Sequence, residues 1–162
     1  MITITDNDVF KELGKFLETL IDSIEVYRGQ INRVPMPSGS FAIMNNSVKK
    51  RMATQAVSYD RDAGKQHTSI STLYTIQVDF YGKNSGDMVH MLQTIWGTDY
   101  AYRLFPDNIK PVTMSNPVQI ALITGEWQYK ERWKTDVELH YSPTVITDMQ
   151  FFEDVDIDII KI

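Results

Sequence analysis

From Trp127 to Tyr141 the chain alternates with period two. One set of positions reads Trp127, Tyr129, Glu131, Trp133, Thr135, Val137, Leu139 and Tyr141; the other reads Gln128, Lys130, Arg132, Lys134, Asp136, Glu138 and His140. Successive side chains of a strand point to opposite faces, so "EWQYKERWKTDVELHYSP" predicts one long strand. Its first face is aromatic and apolar, and its second turns from basic to acidic. The stretch "KQHTSISTLYTIQVDFYG" alternates as strongly, with Ile70, Thr72, Tyr74, Ile76, Val78 and Phe80 opposite Ser71, Leu73, Thr75, Gln77, Asp79 and Tyr81. Before it runs "KKRMATQAVSYDRDAG", extended and of mixed polarity, and "DRDAGKQ" between the two predicts a hairpin tip. Such strands exceed the usual length. Either a bulge interrupts them or the hairpin, Lys49 to Gly82, projects from the body as an arm.

Shorter strands are predicted at "SFAIMNN" and at "PVQIALITG", the latter turning through Gly125 into the aromatic strand. A last one lies at "DVDIDIIKI", where Val155, Ile157 and Ile159 oppose Asp154, Asp156 and Asp158. Helical spacing replaces alternation in two places. Val9, Phe10, Leu13, Phe16, Leu17, Leu20, Ile21 and Ile24 form one apolar stripe over about Asn7 to Ser23, with Asp6 and Asp8 where the unpaired first amides favour carboxylates. Met88, Val89, Met91, Leu92, Ile95 and Trp96 form a second stripe, starting near Asn84 with Asp87 three positions on. A further helical turn is expected around Tyr100 to Phe105, stopped by Pro106 and Pro111. The fold class is α+β: a mostly antiparallel sheet of about five to six strands, two main helices packed on one face, and the long hairpin.

Composition narrows the function classes. The 162 residues, 43% hydrophobic, fit one domain spanning 1–162 with a core of its own. Asp and Glu number 21 against 16 Lys and Arg, for a net charge of -5, which argues against a protein whose whole surface grips DNA. The absence of cysteine excludes disulfides and thiolate metal sites. The opening residues "MITITDNDVFKELG" carry neither a basic segment nor an apolar run, so no signal peptide, no membrane span and a cytoplasmic site of synthesis are expected.

Candidate chemistry is sparse. His67, His90 and His140 have no neighbour at metal-ligand spacing. No Gly-x-Ser-x-Gly elbow or lysine-bearing phosphate loop occurs, and "RVPMPSGS" lacks the strand–turn–helix context of an anion site. Asp154, Asp156 and Asp158 form the best catalytic-looking row, a candidate divalent-cation site for a nuclease or hydrolase. Ligands must converge, however, and side chains at i, i+2 and i+4 spread over roughly 13 Å of strand. The same row could face Lys130, Arg132 and Lys134, within the chain if the last strand lies antiparallel to the aromatic one, or between neighbouring subunits. A single-strand nucleic-acid module built on Trp127 and Trp133 is disfavoured, because alternation puts most basic side chains on the opposite face from the aromatics. Trp96 reads as core; Trp127, Tyr129 and Trp133 read as core or subunit contact.

Three stretches, "NRVPMPSGSFAIM", "YTIQVDFYGKNSGDM" and "ALITGEWQYKERWKTDVELHY", together resemble the neck or tail terminator family of tailed phages and prophages. The residues that carry the resemblance are Asn32, Arg33, Pro35, Pro37, Phe41 to Met44, Gln77 to Gly82, Asp87, Gln128, Tyr129, Arg132 and Trp133, and "FFEDVDIDII" is similar to the family's closing segment. The resemblance implies an α+β virion protein without catalysis or cofactor. It implies a ring, typically hexameric, that caps the tail-tube protein, stops its polymerisation and offers a surface to head-completion or connector proteins. Another head–tail joining role is the alternative within the same class. On this reading Arg33, Lys130, Arg132, Trp133, Lys134, Asp154, Asp156 and Asp158 are candidate subunit or tube contacts. DNA would pass through the ring without being gripped, which an acidic protein suits.

Overall fold

A computed structural model describes residues 1–29, 37–120, 122–123 and 129–150. Helix α1 runs Asp6–Leu20, followed by β1 Glu25–Arg28, β2 Phe41–Arg51, β3 Ala56–Asp60, β4 Lys65–Ser69 and β5 Thr72–Tyr81. Helices α2, Ser85–Ile95, and α3, Asp99–Leu104, come next. The second half holds β6 Ile109–Met114, β7 Val118–Gln119, β8 Leu122–Ile123, β9 Tyr129–Lys130, β10 Arg132–Tyr141 and β11 Thr144–Asp148. The α+β class is as the alternation predicts. A 6-stranded sheet has the order β1-β2-β5-β10-β6 with β7 also on β10, and a 3-stranded sheet has the order β11-β4-β3. Among the described residues no helix is long and apolar enough to cross a membrane.

Helix α1 begins where its sequence demands. Thr5 caps it, its hydroxyl accepting from the Asp8 amide while the Asp8 carboxylate accepts from the Thr5 amide at 2.8 Å. Those hydrogen bonds hold the Asp8 carboxyl below its usual value. The helix stops at Leu20, short of the expected Ser23, because Ile21 turns extended and Ser23 takes φ 60, the left-handed region. Ile24 is still buried, though from the connection rather than from the helix. Val9, Phe10, Leu13, Phe16 and Leu17 face the sheet. They meet the inward positions of β5 and β10: Tyr74, Ile76, Val78 and Phe80 across from Leu139, Val137, Thr135 and Trp133. Trp96 closes this core, donating from Nε1 to the Thr113 carbonyl at 2.9 Å and meeting Phe16 and Phe105 edge-on. Met91, expected on the apolar side of α2, is exposed; Val89 and Leu92 make that side. Asn84 stands at the start of α2 but makes no capping side-chain bond.

Several strands differ from the expectation. The segment "SFAIMNN" continues to Arg51, and β2 pairs with β5 throughout, with a register shift between Asn46 and Val48. Strand β1, unforeseen, lies parallel to β2. Helix α3 stops before Pro106 as expected, and an unforeseen strand, β6, then contains Pro111. The proline is tolerated because β6 is the outermost strand on that side of the sheet, so one flank needs no donor. The aromatic strand begins only at Arg132, since Glu131 separates it from β9.

The long hairpin exists and does project. Its two chains pair as β2 with β5 and then, past breaks at 52–55 and 70–71, as β3 with β4. Residues 61–64 are its tip. After Pro143 the chain follows the hairpin outward as β11, in register with β4 from Thr144 opposite Ser69 to Asp148 opposite Lys65. The N-terminus lies along β11: Thr3 donates to the Thr144 carbonyl at 3.0 Å and Ile146 to that of Met1 at 2.9 Å. The result is an arm of β3, β4 and β11 standing off the body.

Candidate assembly interface

Strand β10 positions the charged and aromatic residues singled out in the sequence. Its partners β5 on one flank and β6 with β7 on the other fix its alternation. Arg132, Lys134, Asp136, Glu138 and His140 therefore share the face turned away from the helices, beside Tyr81, Asp79, Gln77, Thr75 and Leu73 of β5. Trp133 is on the other face. It packs against the helix-side core and donates from Nε1 to Glu131 at 2.9 Å. Helix α2 comes so close that a Cβ at Gly86 would meet that nitrogen at 3.1 Å. Arg132 and Trp133, adjacent in sequence, are thus not parts of one patch, and Trp133 is largely a packing residue.

Arg132 is not a free surface cation either. It pairs with Asp79 at 3.2 Å, and Asp79, only 1% exposed, also accepts from Gln77 at 2.7 Å and Asn45 at 3.3 Å. The guanidinium lies 5.5 Å from the Tyr81 ring, which stacks on the buried Phe41 at 4.8 Å. Burial raises the Tyr81 phenol above its ordinary value, and the nearby Asp79 adds to this. A buried carboxylate needs its charge matched and its lone pairs filled, and three donors from three strands do this. The helix-free face of the sheet is therefore partly a second, polar core. Asp79 was legible only as one polar position of an alternating strand; its burial comes from β2 and β10 lying on both sides. Gly82 ends this strand at φ +110, where a Cβ would fall 2.9 Å from the Ser40 Cα, so the tight exit to α2 requires glycine.

The remaining candidates separate. Lys134 lies on the helix-free face opposite Asp79 on β5, with Val118 of β7 as its other neighbour. Lys130 sits in β9 opposite Leu122. Arg33, Trp127, Gly125 and the carboxylates Asp154, Asp156 and Asp158 lie outside the described residues. Among the described residues β10 is flanked by β5 on one side and by β6 and β7 on the other. Of the histidines, His140 bonds Ser71 at 2.6 Å, His67 is in β4 and His90 in α2. Among the described residues no group of three or more His, Asp or Glu could hold a metal ion.

The arm was expected as a hairpin, but its third strand, β11, was not. Its root is fastened where Lys49 pairs with Asp6 and lies 4.8 Å from the Tyr74 ring centre. Burial alone would lower the Lys49 pKa, but the hydrogen bond to Asp6, with Tyr141 and Tyr74 nearby, raises it. A crevice of about 550 Å³ opens there between arm and body, walled by Ile4, Lys49, Thr68, Tyr141, Pro143 and Val145. Beyond it every residue of β3 is exposed.

A family model described as "Phage neck terminator protein" matches residues 7–162. Among solved structures the chain is similar to the sheath/tube terminator of PVC, an extracellular contractile injection system, in its extended state, with a TM-score of 0.59 and 9% identity. The similarity covers 99% of this chain but 65% of that one, and at such identity it is a likeness of fold. Comparison with curated proteins finds no match.

Proposed function

We propose that this chain, which belongs to the phage neck terminator family, forms a ring on the end of a tail tube, stops tube polymerisation and provides the joining surface for the head or neck. The family match over residues 7–162 carries this reading. The α+β body with its projecting arm gives it a physical basis. A ring of identical subunits is a head-to-tail arrangement, so each copy must carry two different complementary patches. An arm standing off a compact body supplies one surface that reaches outward and another that receives. The ring is a hexamer built on the tube. Its partners are further copies of itself, the tail-tube protein and a head-completion or connector protein, and its place is the tail or neck of the virion. The role is structural. The acidic balance, -5 over the chain, favours a lumen that lets DNA pass without holding it.

Electron microscopy of particles assembled with and without the protein tests this. Over-long tubes or tails unjoined to heads are expected in its absence. Tails of normal length that still fail to join would point to a head-side joining protein, and normal joined tails would end the proposal.

A further inference from the structure

Three stretches of chain cross between body and arm, and all three leave strand geometry at one level. Strand β2 gives way to β3 over residues 52–55, β4 to β5 over 70–71, and β10 to β11 over 142–143. The crossings are not equivalent. Along one edge the register is kept: Tyr141 stands opposite Thr72 in the body and Thr144 opposite Ser69 in the arm, with two residues between on each chain. Along the other edge Arg51 stands opposite Thr72 and Ala56 opposite Ser69, so four residues span the distance that two cover on the partner chain. One edge is continuous, and the other carries slack. Extra residues on one side of a ladder let it bend about the other side without breaking the pairing on either end.

We infer that the arm is a hinged lever: β3, β4 and β11 swing as one unit about the in-register edge at Ile70 and Pro143, and the segment Met1 to Thr3 is the strap that sets their angle to the body. Two further observations carry this. The first is space. The crevice of about 550 Å³ lies at the level of the crossings, with Ile70 and Pro143 themselves in its wall, Ile4 and Asp6 on the body side and Thr68 and Val145 on the arm side. A swing therefore widens or narrows a gap that already exists, without forcing packed side chains apart. The second is the strap. Ile4 is buried in the body core, and Thr5 caps α1. From there the chain crosses to the arm, where Ile2 bridges Val145. The Thr3 amide donates to the Thr144 carbonyl at 3.0 Å, and the Thr144 amide donates to the Thr3 hydroxyl at 3.1 Å. These bonds are few and lie among exposed residues, so the strap opens far more readily than the body does. Within the arm, by contrast, β4 pairs with β3 and with β11 over five residues each in unbroken register, which makes the arm move whole. The inference goes beyond the ring reading and does not depend on it. Within a ring, such a lever lets an arm settle against its neighbour without deforming the body.

The chain has no cysteine, so paired cysteines carry spin labels cleanly. In the full-length chain, kept dilute, Lys11→Cys on α1 with Arg61→Cys at the arm tip measures the swing, and Lys11→Cys with Met91→Cys on α2 measures the body alone; all three positions are exposed. With the strap intact, pulsed dipolar spectroscopy should give one narrow 11–61 distance. In the I2G/T3P chain, which loses the Ile2 side chain and both bonds between Thr3 and Thr144, that distance should broaden or shift by at least about 5 Å, roughly one strand spacing. The 11–91 distance and the amide exchange of β4 should not change. Deleting Ala53 and Thr54 from the I2G/T3P chain removes the slack and should restore the narrow distance. An 11–61 distance indifferent to the strap would overturn the inference. So would a broadened distance with faster β4 exchange, which is fraying of the arm, or a broadened 11–91 distance, which is loosening of the body. A deleted chain that folds yet stays broad would overturn the slack edge as the source of the motion. None of these readouts involves rings, so the ring reading is tested apart from them.

Discussion

The body and the arm are built from successive strands of the same chain segments, yet by different physics. One hairpin runs through both regions, β2 leading into β3 and β4 back into β5, and β10 passes into β11 with only Ser142 and Pro143 between. In the body these strands carry fully buried side chains such as Phe41, Tyr74, Ile76 and Leu139, and α1 and α2 cover one face. In the arm β3, β4 and β11 contain no buried residue. The body is held by apolar burial, at about 25 cal/mol per Å² removed from water. The arm is held by its hydrogen-bond ladder and by its root. A hydrogen-bonded ladder contributes little net stability per bond, so the arm depends on the body and has surface to spare for a partner. The helix-free face is a third case, where polar groups replace apolar ones and stability depends on complete pairing.

The largest effect should come from opening the body core. Leu139→Ala removes a side chain with 0% exposure between β5 and β6, leaving a cavity that costs about 2–5 kcal/mol in denaturant unfolding. A loss below about 1 kcal/mol would mean that the body is not the rigid partner of the pair. Next comes the polar cluster. Asp79→Ala leaves Arg132, Gln77 and Asn45 without their common acceptor, and Arg132 already has an Nε without a partner. About 2–3 kcal/mol is expected, less than a wholly buried pair would lose because the Arg132 side chain keeps 23% of its exposure. Asp79→Ala combined with Arg132→Met should recover part of that loss. If it recovers none, the cluster is not an energetic unit.

How far the sequence told these regions apart depends on what alternation measures. Period two reports which residues share a face, and it placed Tyr74 to Phe80 and Trp133 to Tyr141 correctly because both strands lie in the middle of a one-sided sheet. It also marked the hairpin and its tip. It is blind to neighbours, so Asp79 read only as one position on the polar face, and its burial between two flanking strands could not be seen. Short strands escape it for a related reason. Glu25–Arg28 and Thr144–Asp148 are too brief and too mixed to show a period, and they exist because β2 and β4 offer edges to pair with. Pro106 and Pro111 were read only as stops for the helical turn before them, and β6 went unforeseen because a proline is tolerated on an outer strand. Of the candidate contacts, Arg132 and Trp133 were correctly assigned to opposite faces, but their partners within the chain could not be seen. The family resemblance, carried by order and spacing of motifs, reached further than any single residue did.

Smaller effects belong to the arm. Val57→Lys on β3 adds charge where the side chain is 43% exposed, and unfolding of the isolated chain should shift by no more than about 0.5 kcal/mol. A loss comparable to that of Leu139→Ala would show that the arm shares the core, and the contrast between the regions would fail.

The finest probe is protonation of the ion pair between Lys65 and Asp148, which joins β4 to β11 near the arm tip. The hydrogen bond from Lys65, and then its charge, hold the Asp148 carboxyl below its ordinary value. A carboxyl depressed in the folded state adds stability above its unfolded pKa, about 3.9, and loses it as pH falls through the lower folded value. The clasp is therefore complete at neutral pH and gone in acid. Because Asp148 is largely exposed and solvent screens the pair, the effect is local and small. Amide exchange at Ile146 and Thr147 in Asp148→Asn, relative to the unaltered chain, should be faster by on the order of twofold at pH 7. The ratio should fall to one below the pH at which the carboxyl is neutral in both. Exchange at Ile76 and Val137 should be unchanged at either pH, since those amides open only with the whole body. A matching change there would mean that arm and body unfold as one unit, and a ratio that persisted in acid would assign the effect to packing rather than to charge.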